Sequence, residues 1–111
     1  MVNCLLIDPA YQVATQLNGL LAQTASFRLT TTMSEPQSVA QLAQYGPYMP
    51  IFCVYTPEVK AVIADLRTIE TSLLIMLSED NADAAIAFDY DAIDFLQLPL
   101  KATRLQRCLE K

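Results

Sequence analysis

The sequence predicts an α/β fold in which a parallel sheet is covered by helices on both faces. Short apolar runs alternate along the chain with segments whose apolar residues recur at helical spacing, and this alternation is typical of repeated strand–helix units. The run Leu-Leu-Ile-Met-Leu at residues 73–77 contains no polar side chain. Because a parallel strand between two helical layers has no solvent side, this run predicts the centre of the sheet.

Length and composition restrict the class of protein. The chain has 111 residues, of which 53% are hydrophobic and 17% charged, so we expect one globular domain over residues 1–111. No apolar run approaches the roughly 18 residues of a membrane span, and the N-terminus lacks the basic start of a signal peptide. We therefore expect a cytoplasmic protein that does not enter a membrane.

Charge and cysteine content exclude further classes. The net charge of −5 and the absence of a basic cluster argue against nucleic-acid binding by this domain, because gripping a phosphate backbone requires clustered Lys and Arg. Cys4, Cys53 and Cys108 lack metal-ligand spacing, and the chain has no His. We expect no metal site and no cofactor, with Cys4 and Cys53 as small buried side chains.

The first half of the chain predicts two strand–helix units. Residues 2–7 form an apolar strand, and Asp8 then combines a preferred N-cap with a following proline, which favours the first helical position. Residues 9 to about 23 carry an apolar stripe at helical spacing. Residues 26–33 alternate between polar and apolar side chains, as in a half-covered edge strand, and Ser-Glu-Pro at residues 34–36 starts the next helix.

The second half predicts three more units, with strands at residues 50–55, 73–77 and 93–97. The helices are expected from Thr56 onward, over about 80–88 and over 101–109. Connections of this kind give right-handed crossovers. Because strands one, three and four are the most apolar, the pattern fits a flavodoxin-like (βα)5 three-layer sandwich with the sheet order 2-1-3-4-5.

One stretch of the chain resembles a known family. Residues 85–99 read Ala-Ile-Ala-Phe-Asp-Tyr-Asp-Ala-Ile-Asp-Phe-Leu-Gln-Leu-Pro, and Ser78 directly follows the buried run. This resembles the second half of the CheY-like receiver domains of two-component response regulators, which commonly reads A-F-x-x-G-A-x-D-Y-L-x-K-P after a hydroxyl residue and a helix. The resemblance implies the same fold and covers essentially the whole chain.

The resemblance also implies where a phosphorylation site would lie. A working receiver carries an acidic pair after strand one and a phosphoacceptor aspartate at the end of strand three. In this chain Asp8 takes the first acidic position, but Pro9 takes the second. Depending on the alignment of a short loop, Cys53 or Thr56 takes the phosphoacceptor position, and neither is an aspartate.

The remaining family positions are a hydroxyl residue after strand four, an aromatic residue on strand five, and a lysine before the proline that follows. Ser78 and Phe95 match the first two, but Leu98 replaces the lysine. A helix cap is the favoured explanation of Asp8 over a metal role, a cap explains Ser78 as well as a switch does, and Phe95 is explained as a core residue. Acids at positions 79, 80 and 83 are expected from the helix macrodipole alone. The departures predict a degenerate pseudo-receiver.

We therefore expect a non-enzymatic, phosphorylation-independent signalling module that binds protein partners or itself and controls a transcriptional output. The wording of residues 85–99 is most similar to regulators with a LytTR-type DNA-binding output. Asp91, Asp94, Arg104 and Arg107 are expected as exposed charges that could pair across a two-fold axis. The alternatives are a flavodoxin-like small-ligand or enzyme domain, which would lack a glycine-rich phosphate loop, and a stand-alone adaptor.

Overall fold

A computed structural model describes residues 2–8, 13–24, 26–33, 50–56, 73–89 and 92–110. The predicted helices that follow residues 33 and 56 lie outside these ranges. Within the described part of the chain, no helix is long and apolar enough to cross a membrane.

The five predicted strands form one parallel sheet, which confirms the predicted fold class. Its order is β2-β1-β3-β4-β5, the flavodoxin-like order. The strands are β1 (Val2–Ile7), β2 (Phe27–Met33), β3 (Pro50–Val54), β4 (Leu73–Ser78) and β5 (Asp94–Gln97).

Three α-helices and one 3₁₀ turn lie within the described residues, namely α1 (Ala14–Ala22), the 3₁₀ turn Asn81–Asp83, α2 (Ala84–Asp89) and α3 (Ala102–Leu109). Several boundaries differ from the predictions by one to four residues. The helix α1 begins at Ala14, and residues 9–12, where the sequence places its start, lie outside the described residues. The fifth strand begins at Asp94 rather than at Ile93, whose backbone N–H donates to the Leu74 carbonyl just before the strand.

Side chains of the central strands alternate between two separate cores, one on each face of the sheet. The core between the sheet and α1 and α3 contains Cys4, Leu6, Phe52, Val54, Ile75, Leu77, Leu96 and Leu98. The core on the α2 side contains Leu5, Ile7, Ile51, Cys53, Leu74, Met76 and Phe95. This double burial is the physical reason that strands one, three and four read as continuous apolar runs.

Strand β2 lies at one edge of the sheet, as its alternating pattern predicts. Phe27 and Leu29 are half-buried and pack against the core on the α1 side. The pairing with β1 shifts between Cys4 and Leu5, whose partners are Leu29 and Thr31. The register of β2 thus shifts by one residue relative to β1, an irregularity of a kind that is over-represented at sheet edges.

Candidate functional site at the carboxyl edge of the sheet

Four of the predicted site residues lie at the carboxyl ends of neighbouring strands. Asp8 follows β1, Thr56 lies two residues beyond β3, Ser78 ends β4 and Leu98 follows β5. The strand ends are joined by backbone hydrogen bonds of 2.8 Å from Tyr55 N to Leu77 O and from Leu98 N to Ser78 O. Because the strands are parallel, these residues share one edge of the sheet, where ligands bind in folds of this class.

The Asp8 side chain is fully buried and serves the first helix. Its Oδ2 accepts the backbone N–H groups of Val13 at 2.9 Å and Ala14 at 3.1 Å. Helix-terminal N–H groups lack partners within the helix and carry positive partial charge, so a carboxylate satisfies both needs. The capping role predicted for Asp8 is present, and it acts on residues five and six positions ahead. Pro9 itself lies outside the described residues.

Cys53 lies inside β3, paired with Ile7 and Met76. It is fully buried, its Sγ lies 3.8 Å from the Val54 carbonyl oxygen, and burial raises the pKa of the thiol to about 12. The thiol is therefore neutral at physiological pH, and a neutral thiol is a poor nucleophile. Its side chain belongs to the core on the α2 side rather than to the edge.

Thr56 is the other residue that the resemblance places near the phosphoacceptor position. It is half-buried just beyond the end of β3. Its Oγ1 is shielded from solvent and has no hydrogen-bond partner among the described residues. A Thr hydroxyl has no acidic proton at neutral pH and no nearby His to activate it, because the chain contains none.

The Ser78 hydroxyl is engaged in the turn that follows β4. Its Oγ donates to Asp83 Oδ2 at 2.6 Å and accepts the Asp80 backbone N–H at 3.1 Å. Asp80 in turn caps the 3₁₀ turn, with its Oδ1 accepting the Ala82 N–H at 2.9 Å. The acids near residue 80 therefore act locally at a helix start, as the macrodipole argument predicts.

Phe95 and Leu98 are both buried, with 8% of each side chain exposed. Phe95 packs in the core on the α2 side and Leu98 in the core on the α1 side. The peptide bond between Leu98 and Pro99 is cis. At the lysine position of the family, this chain thus contributes packing and no positive charge.

Two glutamines at this edge were not singled out by sequence reasoning. Gln16 Nε2 donates to the Leu100 carbonyl at 3.0 Å, and Gln97 Nε2 donates to the Glu79 carbonyl at 3.3 Å. These contacts tie α1 and the loop after β4 to the chain around the end of β5. Among the residues that the structure describes, no group of His, Cys, Asp and Glu could hold a metal ion.

The charges predicted on the surface around β5 are arranged differently from the prediction. Asp94 is buried, with 5% exposed, and Arg104 of α3 binds both of its oxygens, at 2.6 and 3.0 Å. Hydrogen bonding to Asp94 raises the pKa of the Arg104 guanidinium. The prediction that Asp94 and Arg104 are free to pair across a two-fold axis is therefore wrong for this pair. Asp91 lies outside the described residues, and Arg107 is exposed.

A sequence signal for this pair does exist. Asp94 interrupts the apolar segment Ile93-Asp94-Phe95-Leu96, and a carboxylate inside a buried strand requires a partner. The partner is ten residues away, beyond the end of the strand, so spacing alone does not identify it.

The fold defined by this sheet and its helices is that of response regulator receiver domains, as comparison with solved structures shows. No family model and no curated protein matches the chain.

The response regulatory domain of protein mrkE from Klebsiella pneumoniae superposes with a TM-score of 0.80 at 13% identity, covering 98% of this chain and 93% of that one. A chain from the complex of the P1 domain of CheA3 with CheY6 from R. sphaeroides gives a TM-score of 0.80 at 17% identity, with 98% and 94% covered. A putative pilus assembly protein (cpaE) from Burkholderia thailandensis gives 0.70 at 21% identity, with 100% of both chains covered.

Proposed function

We propose that this chain is a receiver-like signalling domain that works without phosphorylation, as a cytoplasmic module that binds protein partners or itself. The observation that carries the proposal is Cys53, a fully buried thiol with a raised pKa inside β3. The residue that the resemblance aligns with a phosphoacceptor thus belongs to the apolar core, and its alternative, Thr56, is not a carboxylate.

The surroundings of Cys53 support the same conclusion. A hard divalent cation needs several oxygen ligands, yet Asp8 already accepts two backbone N–H groups and is followed by Pro9. A transferred phosphoryl group needs positive charge around it, and Leu98 supplies none. We also propose that the domain controls a transcriptional output, carried by a LytTR-type DNA-binding domain.

The surface for protein contacts is proposed around the connection from α2 to β5. Among the described residues, the large exposed apolar side chains are Val2, Phe88 and Ile93, at 40%, 65% and 38% exposure. Phe88 and Ile93 flank this connection, and aromatic side chains are enriched in protein–protein interfaces. If the chain self-associates, the contact is apolar here rather than an exchange of the Asp94 and Arg104 charges, which are already paired within one chain.

The phosphorylation test uses intact mass spectrometry after incubation with acetyl phosphate and Mg²⁺. We expect no added phosphate on the wild type, and a receiver domain with an intact aspartate serves as the positive control. A stoichiometric acid-labile adduct on this chain would contradict the proposal.

The interaction test compares the sedimentation of the wild type with that of Phe88→Ser. Ala85→Ser is the matched control, because Ala85 is also an exposed residue of α2. We expect weaker association for Phe88→Ser alone. A monomeric wild type would remove self-association and leave contact with a different protein as the remaining form of the proposal.

A second candidate function is that of an adaptor in a protein assembly without transcriptional output. It is favoured by the match to the putative pilus assembly protein, which extends over 100% of both chains. Pull-down with this domain as bait distinguishes the two, since the adaptor form expects assembly components rather than a regulator or its signalling partner. The small-ligand or enzyme alternative gains no support, because Asp8 and Ser78 are occupied by backbone and side-chain partners.

A further inference from the structure

Among the residues that the structure describes, β5 ends the sheet, and no further strand lies beside its outer side. Edge strands of this kind expose backbone N–H and C=O groups that can pair with a strand of another molecule, and natural proteins block such edges. Whether β5 can accept a strand of another molecule depends on which of its backbone groups face outward and on whether they already have hydrogen-bond partners.

Phe95 and Gln97 are the residues of β5 whose backbone groups face the free edge. In a parallel strand, alternate residues direct their N–H and C=O groups to opposite sides. Leu98 donates its N–H to Ser78 on β4, and the register between β4 and β5 runs unbroken from Asp94 to Gln97, which assigns the even-numbered residues from 94 to 98 to β4. Ile93, whose N–H donates to Leu74, precedes the strand.

Both outward groups of Phe95 are satisfied by the neighbouring ion pair. The Phe95 N–H donates to Asp94 Oδ1 at 2.8 Å, and Arg104 Nη2 donates to the Phe95 carbonyl at 3.2 Å. Arg104 Nη2 also binds Asp94 Oδ1 at 2.6 Å, and Nη1 binds Asp94 Oδ2 at 3.0 Å. At Phe95, side chains thus occupy the positions that an added strand would use.

We infer that the Asp94–Arg104 pair is an edge guard, which prevents a second copy of this chain from pairing its own β5 with the open side of the sheet. An inward-pointing charge on an edge strand is one of the devices by which proteins block edge-to-edge pairing. Here the guanidinium reaches over from α3, so closure of the edge depends on the last helix being docked. The inference is independent of the proposed function, because it concerns association that the wild type avoids.

The test compares Arg104→Ala with Arg107→Ala. Both variants replace one arginine of α3, but the hydrogen bond to β5 is made by Arg104. We expect Arg104→Ala to form concentration-dependent oligomers larger than the wild type in sedimentation velocity, and Arg107→Ala to sediment as the wild type. A folded Arg104→Ala that sediments as the wild type would overturn the inference.

Two further measurements apply if Arg104→Ala does not fold, because removing the guanidinium from the buried Asp94 carboxylate is costly. The double variant Asp94→Val, Arg104→Ala removes both charges and leaves the edge open, so it should fold and associate. Adding Gln97→Pro should restore the sedimentation of the wild type, because proline blocks an incoming strand at the edge. A folded double variant without association, or association that survives Gln97→Pro, would contradict the guard.

Hydrogen exchange of the wild type gives a readout that needs no variant. The Phe95 amide should exchange roughly tenfold or more slowly than an open edge amide, the factor expected for about one hydrogen bond. Unprotected exchange at Phe95 in the folded wild type would overturn the inference on its own.

Discussion

The carboxyl edge of the sheet and the outer edge of β5 use their polar residues in opposite ways. At the carboxyl edge, Asp8 and Ser78 bind groups near them in sequence, and each contact completes a turn or helix start. At the outer edge, Asp94 and Arg104 join a strand to a helix through a pair in which the carboxylate is buried and the guanidinium is partly exposed. Local hydrogen bonds at one edge and a tertiary ion pair at the other predict different sensitivities to mutation.

The largest effect is expected at the ion pair. Arg104→Met leaves Asp94 buried without its guanidinium and should lower the free energy of unfolding by about 2–3 kcal/mol, less than for a fully buried pair. The reduction reflects the 40% exposure of the Arg104 side chain. Urea unfolding measures it, and Arg107→Met should change stability by less than about 0.5 kcal/mol. Equal losses of stability for Arg104→Met and Arg107→Met would show that the ion pair with Asp94 does not stabilise the outer edge.

A smaller loss is expected at the cap of α1. Asp8→Ala removes an acceptor for two backbone N–H groups and should cost about 1–2 kcal/mol. Asp8→Asn keeps one acceptor oxygen and should cost less, as measured by thermal or urea unfolding. If Mg²⁺ raises the melting temperature of the wild type but not of Asp8→Asn, the carboxylate has a metal role beyond capping.

Ser78 tests the local character of the same edge. Ser78→Ala loses the bonds to Asp83 and to the Asp80 N–H, and we expect a loss of about 1 kcal/mol in urea unfolding. Ser78→Thr retains the hydroxyl and should remain near the wild type. A loss as large as that of Arg104→Met would mean that the two edges do not differ in the way described.

The smallest effect at neutral pH is expected for the buried thiols. The pKa of Cys53 is raised to about 12 and that of Cys4 to about 11, in both cases mainly by burial. Their contribution to stability is fully present below the ordinary thiol pKa near 9 and is lost as pH rises toward the folded values. Above pH 9 the slope per thiol approaches about −1.4 kcal/mol per pH unit.

Cys53→Ala isolates this contribution. Its free energy of unfolding should fall less steeply above pH 9 than that of the wild type, whatever its stability at pH 7. Iodoacetamide at pH 8 should leave Cys53 of the native wild type unmodified. Rapid alkylation of Cys53 would show an accessible thiolate and would contradict the conclusion that its side chain belongs to the apolar core.

The sheet was predictable because burial on two faces leaves a direct mark on the sequence. The runs that form β1, β3 and β4 are mostly apolar, whereas β2 alternates, and these patterns fit the observed order because they separate central strands from edge strands. The contacts that cap α1 were not predictable, because a capping side chain usually bonds an N–H group two or three residues ahead, whereas the Asp8 carboxylate bonds those of residues 13 and 14.

The location of the candidate site was predictable from the sequence, but the contacts that its side chains make were not. Strand ends gave the placement of Asp8, Thr56, Ser78 and Leu98 at one edge. The alignment of the short loop after the third strand left Cys53 and Thr56 as alternatives for the phosphoacceptor position. In the structure β3 ends at Val54, between the two residues. The pairing of Asp94 with Arg104 was missed because a charge pattern identifies partners within one helix or hairpin, while this contact spans a strand, a loop and a helix.

Helices α1 and α3 lie far apart along the chain yet contribute to one core, which contains Leu17 and Leu21 of α1 and Leu105 and Cys108 of α3. Synthesis proceeds from the N-terminus, so the core on the α1 side cannot be completed until residues 102–109 have been synthesised. Contacts between such distant segments slow folding, since a long loop must close before they form. Release of the last helix from the ribosome is therefore the step at which this domain can complete its fold, and a chain halted before it would present the unfinished core to chaperones.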